Sequence, residues 1–205
     1  LHIVVQAAYV FPEADAVGGP CRRLALDAVE LLEHDHRMVE QLFRDYTAAK
    51  SDVQRRGVVE IAVRELSKHA ALEELLVYPL ARRLLDGTAT IDEHLREHLA
   101  VKRTLLELDK LSNGDAREGE LMSSLQREVE EHVKEEEGTL FPQLREHADE
   151  EALKELGATL DEGKKTAPTR PHPMAPDRPP ALALAAPVAA IYDRLRDRLQ
   201  ARPRT

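Results

Sequence analysis

The sequence predicts an all-α protein: an antiparallel up-down four-helix bundle, a proline-rich C-terminal tail and a short terminal amphipathic helix. Three observations carry this reading. Charged residues make up 33% of the 205 residues and aromatics 3%, with no Trp; a mix rich in Ala, Leu, Glu and Arg favours helices over sheets. Apolar residues recur at alternating spacings of three and four from about residue 22 to 147, the seam of a bundle. Short breaks near Ala48–Ser51, Asp86–Thr90 and Ser112–Asp115 divide that stretch into four helices, and helices joined by short loops run antiparallel to their neighbours.

Residues 1–21 read as an irregular lead-in that closes on Gly18, Gly19 and Pro20. The opening run Leu1–Phe11 is apolar but has no basic leader and no clear cleavage site, so no export signal is expected. Residues 22–147 form the bundle. Its inward stripes read Val29, Leu32, His36, Val39, Phe43, Tyr46 in the first helix and Val59, Ala62, Leu66, His69, Glu73, Leu76 in the second. They continue as Ile91, His94, His98, Val101, Leu105, Leu108 in the third and Met122, Leu125, Val129, His132, Glu136 in the fourth. Pro79 and Pro142 are expected to end or kink their helices. Residues 148–166 form a short helical extension. Residues 167–187 hold more than half of the chain's 12 prolines and read as an extended linker. In residues 188–205, Val188, Ile191, Leu195 and Leu199 recur at helical spacing among Asp and Arg, a short amphipathic helix that docks on the bundle or on a partner protein.

His36, His69, His94, His98 and His132 thus occupy positions otherwise filled by Leu, Val and Ile. A single histidine in such a stripe is most simply a hydrogen-bonded core residue. Five of them with two glutamates, on four facing helices, are too costly to bury without a shared partner. A metal centre supplies that partner. His2, His147 and His172 belong to no stripe. His34 and His36 point about 200° apart on a helix, and His36 continues the stripe.

An internal repeat supports the site. Residues 69–79, HAALEELLVYP, and 132–142, HVKEEEGTLFP, each contain His, a Glu-Glu pair, an aromatic and Pro at matching positions. His36 precedes His69 by nearly the same interval as His98 precedes His132. Two helical hairpins related by a pseudo-two-fold axis are the natural reading, with a two-metal site on that axis. Residues four apart share a helical face, so His69 with Glu73, His94 with His98, and His132 with Glu136 each present donors to one region. Glu74 and Glu137 are the alternatives to Glu73 and Glu136. They lie about 140° from the histidine rather than about 40°, so spacing favours Glu73 and Glu136. His94 has Leu32 as its counterpart in the first hairpin. One ion is therefore expected on His94, His98 and His132, the other on His36 and His69, with both glutamates and a solvent-derived oxo or hydroxo bridge between them. The two-histidine ion keeps an open position, where a small ligand such as dioxygen, nitric oxide or peroxide can bind. Tyr46 and Tyr78 stand near enough in sequence to approach the cluster, although packing is the plainer role for each.

The set His36, His69-x-x-x-Glu73, His94-x-x-x-His98, His132-x-x-x-Glu136 resembles the hemerythrin-like, or HHE cation-binding, domain over about residues 24–147. The resemblance implies an antiparallel four-helix bundle holding two non-haem iron ions with a bridging oxo or hydroxo group. Oxygen-carrying hemerythrins have an Asp five residues after the last histidine, where this chain has Glu137. The Glu-Glu pairs and Phe141-Pro142 look more like the bacterial and regulatory branch of the family than like oxygen carriers.

Binding or sensing of a small ligand (O2, NO or H2O2) is the first functional expectation. A di-iron enzyme that decomposes hydrogen peroxide is the alternative. Iron storage of the ferritin kind needs paired Glu-x-x-His motifs, a spacing found among the candidate histidines only at Glu33–His36. Zinc suits imidazole and carboxylate, but seven donors exceed the needs of one tetrahedral ion. A metal-free bundle is the remaining reading. The net charge of −9 repels a phosphate backbone, which argues against nucleic acid. No run approaches the roughly 20 apolar residues that span a bilayer. The lone Cys21 can form no internal disulfide and no thiolate cluster, in keeping with a cytoplasmic protein.

Overall fold

The computed structural model describes residues 26–85 and 88–176, with Ala181, Ala185, Pro187, Ala189, Ala190 and Asp193 beyond them. The predicted lead-in and most of the predicted terminal amphipathic helix lie outside the described residues. Among the described residues no helix is long and apolar enough to cross a membrane.

Helix α1 spans Ala28–Ala48. It starts where a capping box satisfies two orphan donors: Asp27 Oδ1 accepts from the Glu30 amide and Glu30 Oε2 from the Asp27 amide. α2 spans Asp52–Leu72 and is capped by Ser51, whose hydroxyl accepts from the Gln54 amide. The rod then continues through a π turn, Glu73–Val77, into α3, Tyr78–Leu84. α4 covers Thr88–Lys110. Gly114, at φ 79°, takes the left-handed conformation in the loop before α5, Glu118–Glu135. A second π turn, Glu136–Leu140, leads into α6, Phe141–His147. α7, Glu150–Lys164, then folds back along α1 and α2.

Pro79 and Pro142 do not end the helical runs in which they lie. A proline ring clashes with the carbonyl four residues back and offers no amide hydrogen. Here the helix widens ahead of each proline, and the Tyr78 and Phe141 amides donate to Glu73 and Glu136 five residues back. The widened turn absorbs the clash and the chain stays helical. Five residues of a π turn come round nearly to the same face, so Tyr78 follows Glu73 inward and Phe141 follows Glu136.

The rods α1, α2–α3, α4 and α5–α6 form a four-helix bundle. Its interior holds two apolar zones. One gathers Val29, Leu32, Val77, Ile91, Leu140 and Leu144; the other gathers Val39, Val59, Val63, Leu105, Leu108 and Leu125. Each such side chain contributes about 1.5–3 kcal/mol on burial. The histidine–glutamate layer lies along the same stripes, between these zones.

α7 packs with no space to spare at two glycines. A Cβ on Gly157 would lie 2.4 Å from the Leu26 carbonyl oxygen, and one on Gly163 would lie 2.7 Å from Leu72 Cδ2. Beyond α7, Ala167–Pro171 are buried. Arg170 Nη1 donates to both carboxylate oxygens of Asp109 at 2.7 Å, and both side chains are 2% exposed. Asp193 Oδ2 accepts from the amides of Thr169 and Arg170. The described part of the proline-rich segment is therefore strapped onto the bundle.

Candidate metal centre

The structure brings together all seven residues singled out from the stripes, none more than 8% exposed: His36, His69, Glu73, His94, His98, His132 and Glu136. His34 is exposed on the outer face. One group comprises His36, His69, Glu73 and Glu136. Glu73, His98 and His132 form another, and His94, His132 and Glu136 a third. The donor atoms within each group lie within 4.8 Å of one another. Each glutamate reaches both hairpins. Glu73 Oε2 is 3.1 Å from His69 Nε2 and 3.4 Å from His98 Nε2. Glu136 Oε2 is 3.4 Å from both His36 Nε2 and His132 Nε2.

A carboxylate faces Nδ1 of each of the five histidines in the cluster. Glu137 lies 2.9 Å from His36, Asp35 3.5 Å from His69, and Glu74 2.9 Å from His98. Glu97 serves two rings, at 2.8 Å from His132 and 3.2 Å from His94. An ionised carboxylate only accepts, so each Nδ1 carries the proton and each Nε2 turns its lone pair inward in the neutral ring. Those inward nitrogens crowd: His36 and His69 Nε2 are 3.2 Å apart, His98 and His132 Nε2 3.0 Å. Two lone pairs at that distance repel unless a proton or a metal ion lies between them.

The supporting acids are themselves anchored. Arg37 pairs with Glu137. Lys102 Nζ lies 2.6 Å from both oxygens of Glu74, and Lys164 Nζ 2.6 Å from Asp35 Oδ1. Burial would raise the Asp35 pKa, but its contact with His69 and the charge of Lys164 hold it below the usual carboxylate value. The same contest at Glu74 is settled downward by His98 and Lys102. At Glu97 the hydrogen bond to His132 dominates and lowers the pKa.

Among protein groups alone, the inner shell is strongly polarised. Burial would strip the proton from His69, yet Glu73 and Asp35 push its pKa up to about 10. His132 is raised for the same reason by Glu136 and Glu97. Burial and mutual repulsion would protonate Glu73, and burial alone would protonate Glu136, yet the facing histidines keep both ionised. Even so, Glu73 Oε1 and Oε2, Glu136 Oε2 and His94 Nε2 are buried without any hydrogen-bond partner. Orphaned anionic oxygens together with the unpartnered Nε2 of His94 fit a group of high positive charge. Next to the four paired histidines lies a cavity of about 20 Å³ walled by Val39, Leu66, Val101 and Val129, room for a water-sized molecule.

The two-fold likeness, already broken at His94 and Leu32, fails again at the rings that follow the π turns. Tyr78 Oη donates to Glu136 Oε1 at 2.9 Å and lies 3.0 Å from His98 Nε2. Its burial, with Glu136 and Glu73 nearby, raises its pKa and keeps it protonated. Phe141 in the equivalent place stacks on His36, with ring centroids 5.7 Å apart. Tyr46 instead approaches Glu118 at 3.4 Å, far down α1. The spacing argument missed Asp35 and Glu97. Their signal was in the repeat, since each immediately precedes a stripe histidine at corresponding places in the two hairpins.

Comparison with known proteins agrees with this geometry. The sequence profile of the Hemerythrin HHE cation binding domain matches residues 27–144. An uncharacterized hemerythrin-like protein of Schizosaccharomyces pombe is 28% identical over 179 residues, covering 82% of this chain and 88% of the relative. That relative is fungal, and the likeness it shows is at the level of the family. No solved structure matches. With its His and Glu donors gathered in the middle of the bundle and more than half its length matched by the family profile, the chain belongs to the hemerythrin HHE cation-binding domain family.

Proposed function

We propose that this protein holds two iron ions between its hairpins and binds or senses a small ligand there: dioxygen, nitric oxide or peroxide. The observation that carries the reading is the inward convergence of imidazole Nε2 atoms whose Nδ1 atoms are all committed to carboxylates. His94, His98 and His132 would hold one ion, His36 and His69 the other, and Glu73 and Glu136 would span the two. Bound iron supplies reversible redox chemistry toward small ligands. The chain's own residues do the rest. The valine-lined cavity excludes all but small molecules. Tyr78 orients Glu136 through its hydroxyl. The outer carboxylates fix the ring tautomers. Glu137 serves His36 from outside rather than joining the inner group, which supports a regulatory member over an oxygen carrier.

The test is direct. The purified protein is expected to carry two irons per chain with oxo-bridge charge-transfer bands, and His69→Ala is expected to weaken those bands. Full iron content in a His69→Ala, His132→Ala double variant would sink the assignment. Added peroxide then separates the alternatives: a stoichiometric spectral change marks a sensor, and sustained oxygen evolution marks an enzyme.

A further inference from the structure

We propose that Lys164, which lies beyond the family domain at the end of α7, is a positioning residue of the metal centre and acts through Asp35 on His69. The inference rests on the di-iron reading above and extends it to a segment that reading does not use. Lys164 Nζ lies 2.6 Å from Asp35 Oδ1, while Oδ2 of the same carboxylate faces His69 Nδ1 at 3.5 Å. The carboxylate is only 8% exposed, and the ammonium held on its outer oxygen fixes it with the other oxygen turned toward the imidazole. The placement is built into the packing. Gly163, the preceding residue, sits so close to Leu72 that any side chain would collide with it, and Leu72 directly precedes Glu73. The end of α7 is thereby pinned where α2 delivers its glutamate. The family profile stops at residue 144. The similarity to the fungal relative covers 82% of the chain, a span long enough to take in α7.

Lys102 provides an internal comparison. It holds Glu74 as Lys164 holds Asp35, and Glu74 supports His98 in the other half of the site. The two lysines therefore secure different ions.

The experiment loads full-length protein with ferrous iron without oxygen and follows release of each ion to a ferrous chelator. In Lys164→Met, one ion is expected to leave roughly 10-fold or more faster, the other at the wild-type rate. Lys164→Arg is expected to restore slow release. Lys102→Met is expected to free a single ion as well, and the double variant both. Wild-type release of both ions in Lys164→Met overturns the proposal. So does equal acceleration of both, which would mean a loosened bundle. A double variant that still holds one ion tightly also overturns it, because both lysines would then act on the same ion. Wild-type protein that takes up no iron defeats the di-iron reading itself. Normal loading with any of the preceding failures defeats only the role of Lys164.

Discussion

At the scale of single residues, the centre separates acids that face inward from acids that brace histidines. Glu136→Gln is expected to lose iron outright, whereas Glu137→Gln keeps both ions with affinity lowered about 10–100-fold. Iron content after dialysis against a graded chelator distinguishes the two. Tyr78→Phe leaves Glu136 Oε1 buried without its donor. It is expected to cost about 1–3 kcal/mol, read by chemical denaturation of the metal-free protein. The inner residues were legible because a polar group in an apolar stripe violates the pattern that surrounds it. Asp35 and Glu97 were not, because one position along a helix is a turn of about 100°. An acid there looks like any residue on the flank of a solvated face. Glu74 and Glu137 were visible only as rivals to their neighbours. Their separate role depends on which ring nitrogen they meet, and that is settled across the bundle, not along one helix.

At the scale of elements, the π turns and the glycines of α7 do most of the positioning. The repeat disclosed that a proline follows each Glu-Glu pair, and general rules about proline predicted a stop or a kink. The helices run on because a wider turn at Glu73–Val77 and Glu136–Leu140 makes room for each proline ring. α7 itself was expected from its sequence, but its closeness to α1 was not, since a glycine within a helix does not reveal what it faces. Gly157→Ala sets a methyl group against the Leu26 carbonyl. The expected penalty is about 1–3 kcal/mol, a fall of roughly 2–12 °C in Tm, checked by circular dichroism. Gly57→Ala meets no atom within 4 Å and serves as the control.

At the scale of the whole molecule, a layer of imidazoles and carboxylates divides the hydrophobic interior. Removing the metal is therefore expected to lower Tm, and returning ferrous iron at about 100-fold over its Kd to regain about 2.7 kcal/mol for each site; calorimetry of stripped and reloaded protein measures this. The bundle was legible from periodicity and loop spacing alone. The packing of the proline-rich segment was not, because its proline content hides a buried Arg170–Asp109 pair that joins residues far apart in sequence. The unlike rings after the two π turns carry one more implication. A hydroxyl borders one flank of the cluster and a bare phenyl the other, so the two halves of the duplicated fold are not interchangeable. Two ions that already differ by a histidine would feel different fields there as well, and in the Mössbauer spectrum of iron-57 protein Tyr78→Phe should shift the two quadrupole doublets unequally without merging them.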